Sequence, residues 1–144
     1  MFKFSRKVEY ALIAMVYMSK KSRDELTTAR ELSDKFNISL ELIGKIMQSL
    51  ARGAIIESVQ GVKGGYFLKR PDDAIYVNEI MTAIDGPIKL IRCEEAQSED
   101  CCERQQICLI RGSMKNIQKE IAGIFETMSL SDFKDKYGQT KQEK

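Results

Sequence analysis

Four cysteines fall within sixteen residues, Cys93, Cys101, Cys102 and Cys108, and the chain has no histidine. In a reducing compartment so dense a cluster is a metal or redox site rather than a disulfide framework. Soft thiolates suit zinc and iron–sulfur clusters alike. Zinc normally takes four closed Cys/His ligands, and neither a CxxC pair nor a histidine is available here. Cys101 and Cys102 are adjacent, so a disulfide between them would be strained. Oxidation of bare thiols is a further reading of the same residues. The lack of histidine excludes His-based catalysis. Gly64-Gly65 lies between two apparent strands, not between a strand and a helix, so it is not a phosphate-binding loop of that kind. These features argue against an enzyme.

Several elements must position that cluster. Val8, Leu12, Met15 and Val16 recur at helical spacing and predict a first helix from about Ser5 to Met18, with Ser5 as N-cap. Thr28-Ala29-Arg30-Glu31 has the capping-box pattern and opens a short second helix ending near Asn37. After about three residues Ser39 caps a third helix carrying Leu40, Leu42, Ile43, Ile46, Met47 and Leu50. Two short helices joined so tightly, the second apolar on one face and polar on the other, predict a helix-turn-helix. Ala54 to Val59 then reads as a strand, Gln60 to Gly65 as a turn and Tyr66-Phe67-Leu68 as the returning strand, closed by Pro71. A Gly-rich hairpin directly after a reading helix is a wing. Its glycines permit positive φ and close approach of backbone N–H groups to a phosphate.

A fourth helix is predicted from about Val77 to Ile84, stopped by Asp85-Gly86-Pro87. A last long helix begins near Ile107. Within it Ile110, Met114, Ile117, Ile121, Ile124 and Met128 follow at steps of four and three, a coiled-coil seam sustained for more than two heptads. One small domain hardly needs so regular a stripe, so it reads as the interface of a homodimer, with packing inside the chain as the alternative. The expected organisation is a DNA-binding unit over 1–88, a cysteine loop and dimerisation helix over 89–133, and a charged, frayed tail over 134–144. The fold class is mainly α with a small β wing. Net charge is +2, but residues 1–75 carry +4 and residues 76–144 carry −2. A basic front half is what a phosphate-binding surface requires. No apolar run approaches the ~20 residues of a membrane span, and the amino-terminal stretch lacks the pattern of a secretory signal. A cytoplasmic protein is therefore expected, with double-stranded DNA as partner and no membrane association.

Tyr10-Ala11-Leu12, Ile38-Ser39-Leu40, Gly61-Val62-Lys63-Gly64-Gly65-Tyr66, Val77-Asn78-Glu79-Ile80, Ala83-Ile84-Asp85-Gly86-Pro87 and Arg92-Cys93 together resemble a known family. It is the winged helix-turn-helix family of iron–sulfur transcription regulators of the IscR, NsrR and RirA type, and the likeness spans roughly residues 1–133. The resemblance implies an iron–sulfur cluster, of either the 2Fe–2S or the 4Fe–4S kind, held by three cysteines before the dimer helix. Cys93, Cys102 and Cys108 match best, with Cys101 an alternative for the middle ligand. The fourth ligand varies within the family. Arg111 stands where one branch has histidine, and arginine cannot bind a metal cation. Glu9 stands where another branch has an aspartate that ligates the partner subunit's cluster.

The resemblance also places Glu41, Gly44 and Lys45 at base-reading positions. Lys45 suits a guanine edge or a phosphate, and Glu41 a cytosine amine; both read equally as solvated charges. Gln60, Gly61, Lys63, Gly64 and Gly65 form the wing that would meet a minor groove or phosphate. Thr28 and Ser39 are fully explained as helix caps and also lie where a phosphate could be touched. The implied function is a regulator whose operator affinity follows its cluster, sensing nitric oxide, iron, cluster or redox status. The alternative is a cluster-free winged-helix regulator controlled by thiol oxidation or by a protein partner.

Overall fold

The structure is a computed structural model that describes residues 2–91, 102–104 and 106–138. Helices α1 (Arg6–Ser19), α2 (Ala29–Phe36) and α3 (Leu40–Arg52) are followed by strands β1 (Ile56–Val59) and β2 (Gly65–Leu68). A 3₁₀ turn (Asp72–Ala74), α4 (Val77–Asp85), α5 (Arg111–Thr127) and α6 (Leu130–Asp135) complete the order. The architecture is mainly helical with one two-stranded antiparallel sheet, in which Ile56 faces Leu68 and Val59 faces Gly65.

Local chemistry explains most of the boundaries. Ser5, Thr28 and Ser39 each accept an N–H of the first turn they precede, from Val8, Glu31 and Leu42 respectively. The Ser5 hydroxyl also hydrogen-bonds the Asp85 carboxylate at the end of α4, so one residue starts α1 and ties it to α4. Asn37 ends α2 in the left-handed region, at φ 53°. Ser33 fixes that turn, its hydroxyl donating to the Ile38 carbonyl at 2.6 Å and its carbonyl accepting the Ile38 N–H at 3.2 Å. The tight turn between α2 and α3 is thus held from inside.

The core is the meeting of apolar faces from α1, α3 and α4. Met15, Leu32, Ile43, Met47, Leu50, Ile75 and Ile80 are fully buried. The buried set of α3 (Ile43, Ile46, Met47 and Leu50) recurs at three and four residues, which leaves its opposite face to solvent.

The structure departs from expectation in three places. Ala54 is not strand but a left-handed residue at φ 58°. It closes α3, where the Ile55 N–H reaches back to the Leu50 carbonyl, and the strand starts only at Ile56. The long helix begins at Arg111 rather than near Ile107; its N-cap Ile110 makes no side-chain capping bond, and before it the Ile107 N–H bonds back to the Arg104 carbonyl at 3.0 Å. Finally, Lys134 is not in a frayed tail but in α6, which opens on a Ser129/Asp132 capping box. Leu130 is completely buried and donates its N–H to the Ile75 carbonyl at 2.7 Å. Lys134 pairs with Asp72 at 2.5 Å. These contacts are long-range, so local sequence does not announce them.

Leu130→Ala is expected to cost roughly 3 kcal/mol, the usual range for emptying a filled core site. Ser131→Ala on the same helix should cost well under 1 kcal/mol. Urea unfolding monitored by circular dichroism checks the contrast; equal costs would show that α6 does not anchor the core.

Candidate nucleic-acid interface and thiol segment

The outward face of α3 carries Glu41, Lys45 and Gln48, all exposed. Glu41 and Lys45 stand one turn apart and pair at 3.0 Å, with side chains 82% and 71% exposed. Exposed pairs of this kind contribute little to stability, so both charges remain available to a ligand. Gln48, three residues beyond Lys45, lies on the same face and was not singled out from sequence, although helical spacing alone places it there. Gly44 sits mid-helix between them without positive φ, and a Cβ on it would meet nothing within 4 Å. A glycine in a helix interior costs about 1 kcal/mol relative to alanine.

The wing is the β1–β2 hairpin that follows α3. Gly61 has φ 117° with open space around it, whereas a Cβ on Gly64 would lie 2.2 Å from the Val59 carbonyl oxygen. Gly65 is pressed against Leu26 and Thr27, because Tyr66 and Thr27 exchange hydrogen bonds at 2.8 and 2.9 Å. Gly64 and Gly65 are therefore explained by closure of the hairpin; Gly61, whose carbonyl accepts the Gly64 N–H at 3.0 Å, is the one with open space around its Cα. Gln60 and Lys63 flank the tip and are exposed, and Val62 between them is fully so.

Helix α2 buries only Leu32. A polar lock holds the rest of it against α1. Tyr17 donates its hydroxyl to Glu31 at 2.5 Å, and Lys21 donates to the same oxygen at 2.6 Å. The ring of Tyr17 meets Phe36 edge-on at 5.5 Å, and the ammonium groups of Lys21 and Lys35 lie over it at 5.0 and 5.1 Å. Burial opposes ionisation of Glu31, but hydrogen bonds from Lys21 and Tyr17 outweigh it and hold the carboxyl below its ordinary 4.5. The bond to Glu31, with burial added, raises the Tyr17 phenol above 10.0. The lock thus fixes the orientation of the helix whose first residue follows Thr28. A second ion pair serves the base of the wing. Arg70 grips Glu79 of α4 at 2.8 and 3.3 Å and donates to the Ala74 carbonyl at 2.9 Å.

Helix α5 has no fully buried residue. Ile117 and Ile124 are 45% and 55% exposed, and Ile110, at 60%, is the N-cap rather than a helical residue. Met114 and Ile121 line a cleft of about 1190 Å³ that also includes Phe4, Met81 and Leu90. Met128 follows the helix and packs on the chain's own core, its carbonyl accepting the Val77 N–H at 2.9 Å. The end of the stripe is therefore intramolecular in part. The rest of α5 is tied on by the Phe4–Phe125 edge contact at 5.7 Å and by the Leu90 N–H donating to Gln118 at 2.8 Å.

Cys108 lies three residues before α5 and is partly buried; Cys102 is exposed, and both are free thiols. Cys93 and Cys101 fall outside the described residues. Among the described residues no three Cys, Asp or Glu side chains converge as a metal site. Glu9 is exposed in the first turn of α1 and lines a groove with Ile13, Lys20, Phe36 and Phe133. Also among the described residues, no helix is long and apolar enough to cross a membrane.

A helix-turn-helix, a hairpin wing and an outward-facing polar reading face define a DNA-binding transcription regulator of the winged-helix class. The chain belongs to the Rrf2 family of iron-dependent transcriptional regulators, which it matches over residues 4–136. It is similar to the HTH-type transcriptional regulator IscR of Xenorhabdus nematophila, at 25% identity over 130 residues covering 90% of this chain and 77% of that protein. The IscR of Yersinia enterocolitica matches to the same extent. Among solved structures the fold is similar to that of T. potens IscR, with a TM-score of 0.72 at 19% identity, covering 98% of this chain and 93% of that one. It is similar also to CymR (YrzC), the global cysteine regulator of B. subtilis, with a TM-score of 0.70 at 24% identity, covering 92% and 96%.

Because the folded-state pKa of Glu31 is depressed, its contribution to stability is present above pH 4.5 and is lost as pH falls through the lower folded value. Glu31→Gln is expected to be less stable than the wild type at pH 7, with the gap narrowing as pH falls below 4.5. Thermal melts at pH 7, 4.5 and 3 read this directly. A gap that stays constant across that range would show that the lock is not ionic.

Proposed function

We propose that two copies of this chain pair through α5 and bind an operator with two α3 helices, at an affinity set by an iron–sulfur cluster on the thiol segment. The observation that carries this reading is the placement of Cys108 three residues before α5, whose outward isoleucines stay about half exposed among the described residues. Thiolates are the donors such clusters take, and Cys102 and Cys108 are free, so the donor chemistry present fits. Cys93, Cys108 and either Cys102 or Cys101 would hold the cluster, with Glu9 of the partner subunit completing it. When bound, the cluster supplies sensitivity to oxygen, nitric oxide or iron supply.

The residues of the chain supply the transmission. Cys108, held in a cluster, would fix the start of α5. Leu90–Gln118 and Phe4–Phe125 tie α5 to the segments flanking α1 and α4. Helix α4 in turn packs on the end of α3, where a Cβ on Gly53 would lie 3.1 Å from Ala83. The spacing of the two α3 helices then decides whether half-sites about one helical turn or a multiple apart are met together. Thr28, Ser39, Gln60, Gly61 and Lys63 would contact phosphates or the minor groove, and Glu41 and Lys45 the base edges. A second reading, control by thiol oxidation without a cluster, is favoured by the exposure of Cys102 beside Cys101 in sequence. One of the similar structures is the oxidised form of Staphylococcus aureus CymR.

Two experiments test this. Protein purified without oxygen is expected to be brown, with iron and acid-labile sulfide near stoichiometric, and Cys108→Ser should lose both. Cluster loss should change operator affinity by roughly 5- to 150-fold. A colourless protein that takes up no iron on anaerobic reconstitution would sink the cluster and leave the thiol reading. Separately, Ile117→Glu with Ile124→Glu should weaken dimerisation on the order of 100-fold or more by burying unpaired charge, read by sedimentation equilibrium. An unchanged dimer would place the interface elsewhere.

A further inference from the structure

Gly44 carries a helix-breaking cost that nothing among the described residues explains. Its backbone is ordinary helix, so positive φ does not require it, and a Cβ would meet open space. The wing glycines differ: Gly64 and Gly65 are each forced by a neighbouring backbone oxygen or side chain. Among the described residues, the helical glycines with the same open surroundings are Gly112 and Gly123, and both lie on α5, the helix assigned above to a second copy. Glycines uncompensated within the fold thus occur on the faces that meet another molecule. A helix that lies against a ligand through its backbone needs glycine at the point of contact.

The surroundings of Gly44 say what kind of group makes that contact. Leu40, one turn earlier on the same face, is 43% exposed although apolar. Glu41 and Lys45 are paired with each other along the helix. The gap over Gly44 is flanked by Leu40 one turn before it and by Gln48 one turn after, and on the Leu40 side the apolar side chain and the Cα–H of the glycine offer no donor or acceptor. In the major groove the apolar feature of a base edge is the C5-methyl group of thymine. We infer that Gly44 and Leu40 form a notch for a thymine methyl, so that Gly44 sets both the depth of α3 in the groove and a preference for thymine at one operator position. This rests on the assignment of α3 as the reading helix.

The test uses the full-length protein and a duplex that the wild type selects from a random-sequence pool. Gly44→Ala should melt roughly 3 °C higher than wild type, since alanine is the better helix former, yet bind the selected duplex about ten-fold or more weakly. The selected thymines are then replaced one at a time by deoxyuridine, which lacks only the methyl. At one position per half-site the wild type should lose affinity and Gly44→Ala should regain it, the alanine methyl occupying the vacated space. Lys45→Ala separates the two levels of the argument. If it weakens binding while Gly44→Ala binds like wild type, or if no deoxyuridine position restores Gly44→Ala, the notch is overturned and the reading helix stands. If neither variant affects binding, α3 is not the reading helix and both fall.

Discussion

Ile43, Ile46, Met47 and Leu50 must leave water on one side of α3, and that burial orients everything the protein presents on the other side. The four side chains recur at three- and four-residue steps, so packing them against α1 and α4 leaves one orientation of the helix about its axis. Each fully buried aliphatic contributes on the order of 1.5–3 kcal/mol, far more than any exposed ion pair nearby. Glu41, Lys45 and Gln48 gain nothing from folding, but they are aimed by it. The reading surface is the complement of the core, fixed by residues that never approach the ligand.

Helix α2 and the wing lack that apolar anchorage and are held by polar devices instead. With one buried residue, α2 depends on Glu31 gathering two donors and on the Tyr17 ring. The wing is pinned at its base by Arg70 and Glu79 and along its side by the Thr27–Tyr66 exchange. Such contacts orient well and contribute modestly, since burial of each charge offsets much of the gain. The result is a rigid reading helix flanked by elements whose pose rests on a few hydrogen bonds. Such an arrangement would suit the proposed reading of two DNA half-sites.

Features whose cause is local were legible in the sequence. Ser5, Thr28, Ser39 and Gly86 cap or stop helices through neighbours within four residues, and the periodicity of α1 and α3 is strong. Features whose cause is distant were not. Helix α6 is short and charged, and it exists because Leu130 fills a site beside Ile75, more than fifty residues away in sequence. The Tyr17–Lys21–Glu31 lock joins two helices across a polar loop that carries no motif. Glu31 was read as one half of a capping box, and its larger role is with Tyr17 and Lys21. Gly64 and Gly65 read from the sequence as phosphate-facing, and closure of the hairpin independently requires glycine at both. The thiol pattern pointed to cluster chemistry, yet two of its four cysteines lie outside the described residues.

The pairing of Glu41 with Lys45 has a consequence for how such a protein searches a genome. Two opposite charges 3.0 Å apart form a dipole whose field dies away within a few ångströms, whereas a lone lysine would attract any phosphate within a Debye length of ~8 Å. Were α3 to read DNA as proposed, it would attract phosphates at a distance less than an unpaired lysine does, and capture would fall to the remaining basic residues of the front half. A wrong sequence would then meet the pair without offering each partner a replacement and be released sooner. A correct one would replace both partners at once. The same two residues that add almost nothing to stability would thus shorten the time spent at every incorrect site.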